Sequence, residues 1–432
     1  MIQINFSNTT NNYRLIKLYL FAIILSVNIH CQKNHSSDEN TKLGIIQYMR
    51  NATLTVSAPS NVTTSSYSIG GTVSGLISTG LVLQNNGTDD LSISSGLTSF
   101  TFVTKVNGAY AVSIKTQPTG LSCTFANASG TATANITNIS LTCISDGSSW
   151  TSRTMPSSAT WKAITYANGK FVAIAGGGSN SDVTATSPDG INWTLGTMPQ
   201  LQKWISITSG NGLFVAVAGG GVATNVAATS TDGITWTMRA LPSINGWQSV
   251  TFGNGLFVAV SSSNSAAAYS SDGINWTAAT LPSNTSWNCV TYGNGMFVTV
   301  ASSGTNAATS TDGINWTART LPASGWWQSV IYGNGVFVAV IASPGTVAAS
   351  STDGINWTAR TLPSSVAYSS TAYGNGIFVI TPNAGSVAAS SSNGTTWTNR
   401  TLPSSTSWTA VTYGNGIFVA IASGGTVAAT SP

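Results

Sequence analysis

The carboxylates of this chain come one at a time. Beyond Glu39 there is no glutamate, and from residue 40 onward the carboxylate side chains are Asp89, Asp90, Asp146, Asp182, Asp189, Asp232, Asp272, Asp312 and Asp353. Hydrolysis by paired carboxylates needs both groups within reach of one bond. Here six aspartates each open an Asp-Gly step, 40–43 residues from the next, so they are set out singly. Within residues 145–432 only Asp182 stands outside such a turn. Both histidines, His30 and His35, lie near the N-terminus, and the cysteines are Cys31, Cys123, Cys143 and Cys289. A catalytic triad or an imidazole metal site therefore has no histidine to use beyond residue 35. Four separated cysteines do not make a zinc cluster. Acid–base work would fall to Asp, Lys or Tyr. No cofactor and no metal is expected, and most enzyme classes are excluded.

The remaining chemistry-bearing groups also follow a period. Arg153, Arg239, Arg319, Arg360 and Arg400 each stand seven residues after the turn Asp (Asn393 before the last). That places them at a rim, next to a recurrent proline, rather than converging on an axis. Trp161, Trp204, Trp247, Trp287, Trp327 and Trp408 form another series, with Tyr368 in its sixth place. Aromatic faces stack on sugars, and repeated sites give avidity. A recurrent Trp at the start of a strand also packs between sheets, and that is the reading preferred. Cys289, in the first strand of the fourth unit, replaces a Ser found at equivalent positions and is read as a buried thiol.

Composition bounds the rest. Of 432 residues, 42% are hydrophobic and only 6% charged, against ~25% charged in a usual soluble domain. The chain is too apolar to be disordered and too long for one core. Its net charge of +4 is small and scattered, so no nucleic-acid partner is expected.

The elements that carry these residues recur seven times. The phrase is W-x-x-V-x-Y-G-N-G-x-F-V-A-V, a Gly/Ser-rich gap, then A-A-T-S-T-D-G-I-N-W-T-A-R-T-L-P. Its landmarks are Phe171, Phe214, Phe257, Phe297, Phe337, Phe378 and Phe418, spaced by 40–43 residues. Periods of ~40–45 are those of propeller blades. Each repeat reads as four strands, with Asn-Gly as a type I′ turn between the first two. Asp-Gly is read as a second tight turn, between the third and fourth strands. Pro156, Pro199, Pro242, Pro282, Pro322, Pro363 and Pro403 end the units, where the ladder is expected to stop. The last repeat lacks its D-G-x-x-W, and the missing piece stands at Asp146–Arg153. The expectation is a seven-bladed, all-β propeller over residues 145–432, closed by an N-terminal strand that completes the last blade. The third-to-fourth turn, S-T-D-G-I-N-W at residues 310–316, resembles the Asp-box of BNR-repeat propellers such as sialidases, with one residue fewer between Asp and Gly. In that family the box is a structural turn, so the resemblance implies fold rather than activity.

Residues 51–144 alternate short β-prone runs with turns, which reads as a small β-sandwich. The run from Tyr67 to Cys143 resembles Ig-like modules of exported bacterial surface proteins. Cys123 and Cys143 lie in two expected strands; in an oxidising compartment they pair as a disulfide, and otherwise they are two buried thiols. Ahead of them, Arg14 and Lys17 precede the apolar run Leu18–Ile29, too short to span a bilayer comfortably and suited to a signal peptide. Cys31 follows directly, which resembles a bacterial lipoprotein signal; lipidation at Cys31 and an ordinary secretory signal both remain open. Residues 1–31 are thus an export segment and 32–50 a tether. The expected place is the cell envelope, as an outer-membrane or surface lipoprotein on a lipid anchor, or else outside the cell. The expected role is that of a non-enzymatic, monomeric surface protein with a protein or glycan ligand. The alternatives are a sialidase-like glycoside hydrolase and an assembly or stability factor of an envelope complex. Repeat length varies only between the Phe and the Asp, in the leg that holds the second-to-third-strand loop. Function concentrates in loops on a rigid frame, which points to Ser179, Asn180, Asp182, Thr224 and Asn225 over the first two blades.

Overall fold

A computed structural model describes residues 65–431 apart from Pro344; the expected export segment with Cys31, the expected tether and the run ATLTVSA lie outside the described residues. Every regular element among the described residues is a strand. The first eight are β1 (Ile69–Ser74), β2 (Leu81–Asn85), β3 (Asp89–Ile93), β4 (Ser99–Thr101), β5 (Gly108–Thr116), β6 (Leu121–Ala126), β7 (Ser129–Ala132) and β8 (Ile136–Ser145). They form two sheets, β4-β1-β8-β6 and β3-β2-β5-β7. Alternate positions such as Leu81 and Leu83 or Tyr110 and Val112 are buried in one shared core, as the two-residue period of a strand requires. β1 pairs in parallel with β8, and β6 in antiparallel fashion. Cys123 faces Cys143 across the second pairing, and the two are joined as a disulfide.

The propeller follows in the same compact unit. Its seven blades have four antiparallel strands each, for example Trp204–Gly210, Leu213–Ala218, Thr224–Ser230 and Thr237–Asn245 in the second. The first strands of neighbouring blades touch all the way round, so they line the central axis. Second strands are continuous apolar runs with Phe, Val and Ala almost wholly buried, because they pack against sheets on both faces. The Asn-Gly turns are as expected: Asn254 has φ 48° and Gly255 φ 76°, the left-handed pair that matches the twist of the flanking strands.

Ring closure is also as expected. β9 (Thr151–Ala167) serves two blades. Its first residues pair with the final strand, Thr151 with Thr430 and Arg153 with Ala428. Its last residues pair with β10 (Lys170–Ala175) in the first blade, which β11 (Ser181–Ser187) and β12 (Thr194–Gln202) complete. The loop of the seventh blade is assembled from both ends of the propeller: the Ser145 hydroxyl lies 3.3 Å from that of Ser431 and accepts from the Gly147 amide.

Two expectations need correction. Proline does not always stop the ladder. Pro156, Pro199, Pro242 and Pro403 lie inside long strands; in blades one, two and six the third–fourth strand register shifts around them, between Ser181 and Val183 in the first blade. A bulge leaves an N–H position unused, which is where proline fits. The Asp-Gly step is no two-residue turn either, but a longer loop organised by the aspartate.

Candidate functional site

The repeated aspartates are spent on their own loops. Asp272 accepts from the amides of Ile274 and Asn275 at 2.8 Å, from the Asn275 side chain, and from the Ser270 hydroxyl. Asp189, Asp232, Asp312 and Asp353 repeat the pattern, and Asn393 imitates it with its amide oxygen. These donors favour the charged form. The Thr235 amide first, with that of Ile234, holds the Asp232 carboxyl down at about 2. Led by the amides of Asn275, Asn315 and Asn356, the same donors hold Asp272, Asp312 and Asp353 well below the usual carboxylate range. Such groups carry no proton at neutral pH to give to a substrate.

The arginines are spent likewise. They lie within fourth strands, and each Nε donates to a third-strand hydroxyl, as from Arg239 to Thr229 and from Arg360 to Ser350. The tryptophans of the first series are fully buried, and their indole N–H groups donate to the carbonyl four residues back, as from Trp247 to Ser243. They are inter-blade core and offer no face to a sugar. Cys289, read from the sequence as a buried thiol, is half-buried and lines a cavity on the axis; its sulfur accepts from the Val330 amide, and desolvation pushes its pKa up.

What remains is the central channel, and its two ends differ. At the turn end five of the seven first strands close on an aromatic followed by glycine. A Cβ on Gly293 would lie 2.1 Å from the ring of Tyr332 in the next blade, and Gly253, Gly333, Gly374 and Gly414 meet Tyr292, Tyr373, Tyr413 and Tyr166 in the same way. The exception fits the rule: Ala167 replaces the glycine in the first blade, and Ser209 replaces the aromatic in the second. The sandwich lies on this side. Ile77, Leu121 and Ile144 share a cavity with Asn375, Tyr413 and Asn415 from the turns of blades six and seven.

At the loop end, the residue after the series aromatic takes six identities in seven blades: Lys162, Ile205, Gln248, Asn288, Gln328, Ser369 and Thr409. These residues line a cavity of about 220 Å³ on the axis. Gln248 donates to Asn288, and Asn288 to Gln328, at 3.1 and 3.0 Å; Thr409 donates to the Trp161 carbonyl at 2.8 Å. Lys162 brings the only charge to the ring. Burial pushes its pKa down, and no acidic side chain lines the cavity with it. Among the described residues the single ion pair is Lys115–Asp90, in the sandwich. Beside the axis Lys162 also lines a second cavity, of about 230 Å³, with Trp326, Gln328, Ala342, Tyr368, Ser369, Asn383 and Thr409. Trp326 is 54% exposed, and the buried Tyr368 hydroxyl has no partner.

No protein family and no curated protein matches the sequence. Solved structures do match in shape. A catalytically inactive histidine-to-alanine variant of virginiamycin B lyase from Staphylococcus aureus, with quinupristin, aligns at TM-score 0.58 and 13% identity, over 66% of this chain and 100% of that one. A streptogramin B lyase aligns at TM-score 0.57 and 14% identity, over 65% and 97%. The Cps50 (Swd1) β-propeller domain of Myceliophteria thermophila gives 0.50 and 7%, over 65% and 100%. The likeness is one of fold. At such identities it carries no activity across.

The residues singled out from loop length fare unevenly. Ser179 and Asn180 are exposed in the loop between β10 and β11. Asp182 lies in β11, and Thr224 and Asn225 in the third strand of the second blade, all half-buried, so these three are not loop residues. The third strand of these blades starts early and pairs with a long fourth strand, Ser181 with Gln202 and Thr224 with Asn245, as Gly385 does with Thr406 in the shorter sixth blade. Lys162, Trp326 and Asn383 were missed. Laying the seven repeats on one another would have found them, since each departs from what the other blades carry at its position.

Proposed function

We propose that this is a non-enzymatic, exported binding protein whose propeller takes a glycan or protein ligand on the second-to-third-strand loop face, at the mouth of the central channel. One observation carries the reading: the repeated Asp, Arg and Trp are each consumed by hydrogen bonds or burial within the scaffold, while the polar groups of the channel mouth vary from blade to blade. The sandwich lines cavities on the turn side of the propeller, away from the loop face. The disulfide fits an oxidising compartment and so supports export. A lipid on Cys31 would hold the protein at a membrane; that is part of the proposal. The likeness of the first domain to Ig-like modules and of the loops to the Asp-box favours a modular surface protein. The lyase structure named inactive lacks one histidine, and this chain has none beyond His35, which speaks against a shared chemistry.

The test is to expose the full-length protein to arrays of neutral and acidic glycans, and separately to glycosidic and streptogramin-type substrates with product detection. Saturable glycan binding without turnover is expected. Turnover that survives purification, or no retention on any glycan or protein ligand, would overturn the reading.

A further inference from the structure

The breaks in the repeat converge in space. Six blades begin their first strand with Trp, and blade six has Tyr368. The residue before it is Thr160, Lys203, Gly246, Ser286, Ala367 or Ser407 in six blades, and Trp326 in the fifth. The residue after it is charged only at Lys162. The residue after the second strand is Gly176, Gly219, Ser262, Ser302, Ala342 or Ser423, and Asn383 in the sixth blade. Lys162, Trp326, Tyr368 and Asn383 come from three blades, yet all line one cavity. Independent drift in separate blades gives no reason for them to meet.

Their chemistry is complementary to one class of ligand. The Lys162 ammonium has no anionic partner among the described residues, and its side chain packs against Gly177, which holds it at the mouth. A partly desolvated cation with no counter-charge gains most from an incoming anion. The exposed indole of Trp326 gives a flat apolar face beside it. Gln328, Ser369, Asn383 and Thr409 ring the same space with amides and hydroxyls. The volume is below the ~300–1,000 Å³ of drug-sized sites, and so suits a single ring.

We propose that this cavity is a subsite for one acidic sugar residue of a glycan, with Lys162 pairing its carboxylate, Trp326 stacking on its ring and the surrounding amides and hydroxyls meeting its hydroxyls. The proposal rests on the glycan branch of the proposed function and names its substrate class. An acidic peptide would use Lys162 but leave the ring of neutral polar groups unmatched, which is why the sugar is favoured.

The experiment titrates the full-length protein with oligogalacturonate, with neutral oligogalactose and with a glutamate-rich peptide, reading tryptophan fluorescence and calorimetry at low and high salt. Oligogalacturonate is expected to bind at least tenfold tighter than oligogalactose, and more weakly as salt rises. Lys162→Met should erase that preference and its salt dependence while leaving weak neutral-sugar binding in place. Trp326→Ala should weaken both sugars together. Lys203→Gln, outside the cavity, should change neither. Acidic-sugar binding that survives both Lys162→Met and Trp326→Ala would move the site elsewhere and leave the glycan reading standing. Neutral binding equal to acidic binding would overturn the anion assignment alone. Preference for the peptide, or no binding of either sugar, would overturn the subsite and the glycan branch together.

Discussion

The two ends of the channel obey opposite rules. At the turn end an aromatic of one blade needs a glycine on its neighbour, and where one member is replaced the other is replaced too, at Ala167 and Ser209. At the loop end the ring Lys162, Ile205, Gln248, Asn288, Gln328, Ser369 and Thr409 repeats almost nothing. Both rings sit on the same seven strands, under the same backbone geometry. Packing therefore constrains one end only. Where the scaffold makes no demand, the differences between blades become available for recognition.

The sharpest way to break this contrast is to overfill the turn end. Gly293→Val should cost about 3 kcal/mol in chemical denaturation, because its side chain would run into the Tyr332 ring, which packs on Phe337 of its own blade. Gly293→Ala and Tyr332→Ser, made singly and together, copy the natural Ala167–Ser209 pair. The double variant should be less destabilised than the sum of the singles by about 1–2 kcal/mol. Strict additivity would show that the glycine and the aromatic are not coupled.

Next in size are the loops on the same face. Asp312→Ala removes the acceptor for two amides and should cost about 1–2 kcal/mol, like the loss of a capping side chain. The acid dependence follows from the lowered carboxyls. Asp232 titrates at about 2 in the fold, against ~3.9 when unfolded, so its contribution is complete above about pH 4 and is lost as pH falls towards 2. Melting temperature should drop through that window, and Asp232→Asn should drop less.

How much of this was legible beforehand differs between the two ends. The blade count, the closing strand, the Asn-Gly turns and the Cys123–Cys143 pair are visible because each rests on local chemistry or on a repeat that returns. The propeller prolines misled, since a bulge tolerates a residue that a regular ladder rejects. Asp182, Thr224 and Asn225 misled because the third strand begins early enough to take them in, and the length of the leg does not mark where that strand begins. Lys162 and Trp326 stood out in neither length nor motif. They are neighbours only because a closed ring brings blade one beside blades five to seven, and spacing along the chain does not encode that nearness.

The loop end should yield the smaller effects on stability. Lys162→Met should leave stability unchanged or raise it by up to about 0.5 kcal/mol. The sign follows from its lowered pKa: the fold holds the proton less tightly than the unfolded chain does, so charge on Lys162 opposes folding, and stability gained as pH rises through that window should vanish in the variant. Ser179→Ala and Asn180→Ala, in an exposed loop, should shift denaturation midpoints least, by under about 0.5 kcal/mol. A large loss at any of these three positions would show that the loop end carries structural demands of its own.

The shared strand β9 sets a clock. Its first residues are made well before their partners at Val427–Thr430, which lie six blades further along the chain. At ~5–20 residues per second the waiting strand stays unpaired for roughly 15–60 s. Through that interval the growing protein carries an open edge that a protease or a chaperone can recognise. A chain cut short in its last blade never loses that mark. The seam thus ties closure of the ring to synthesis of its last blade.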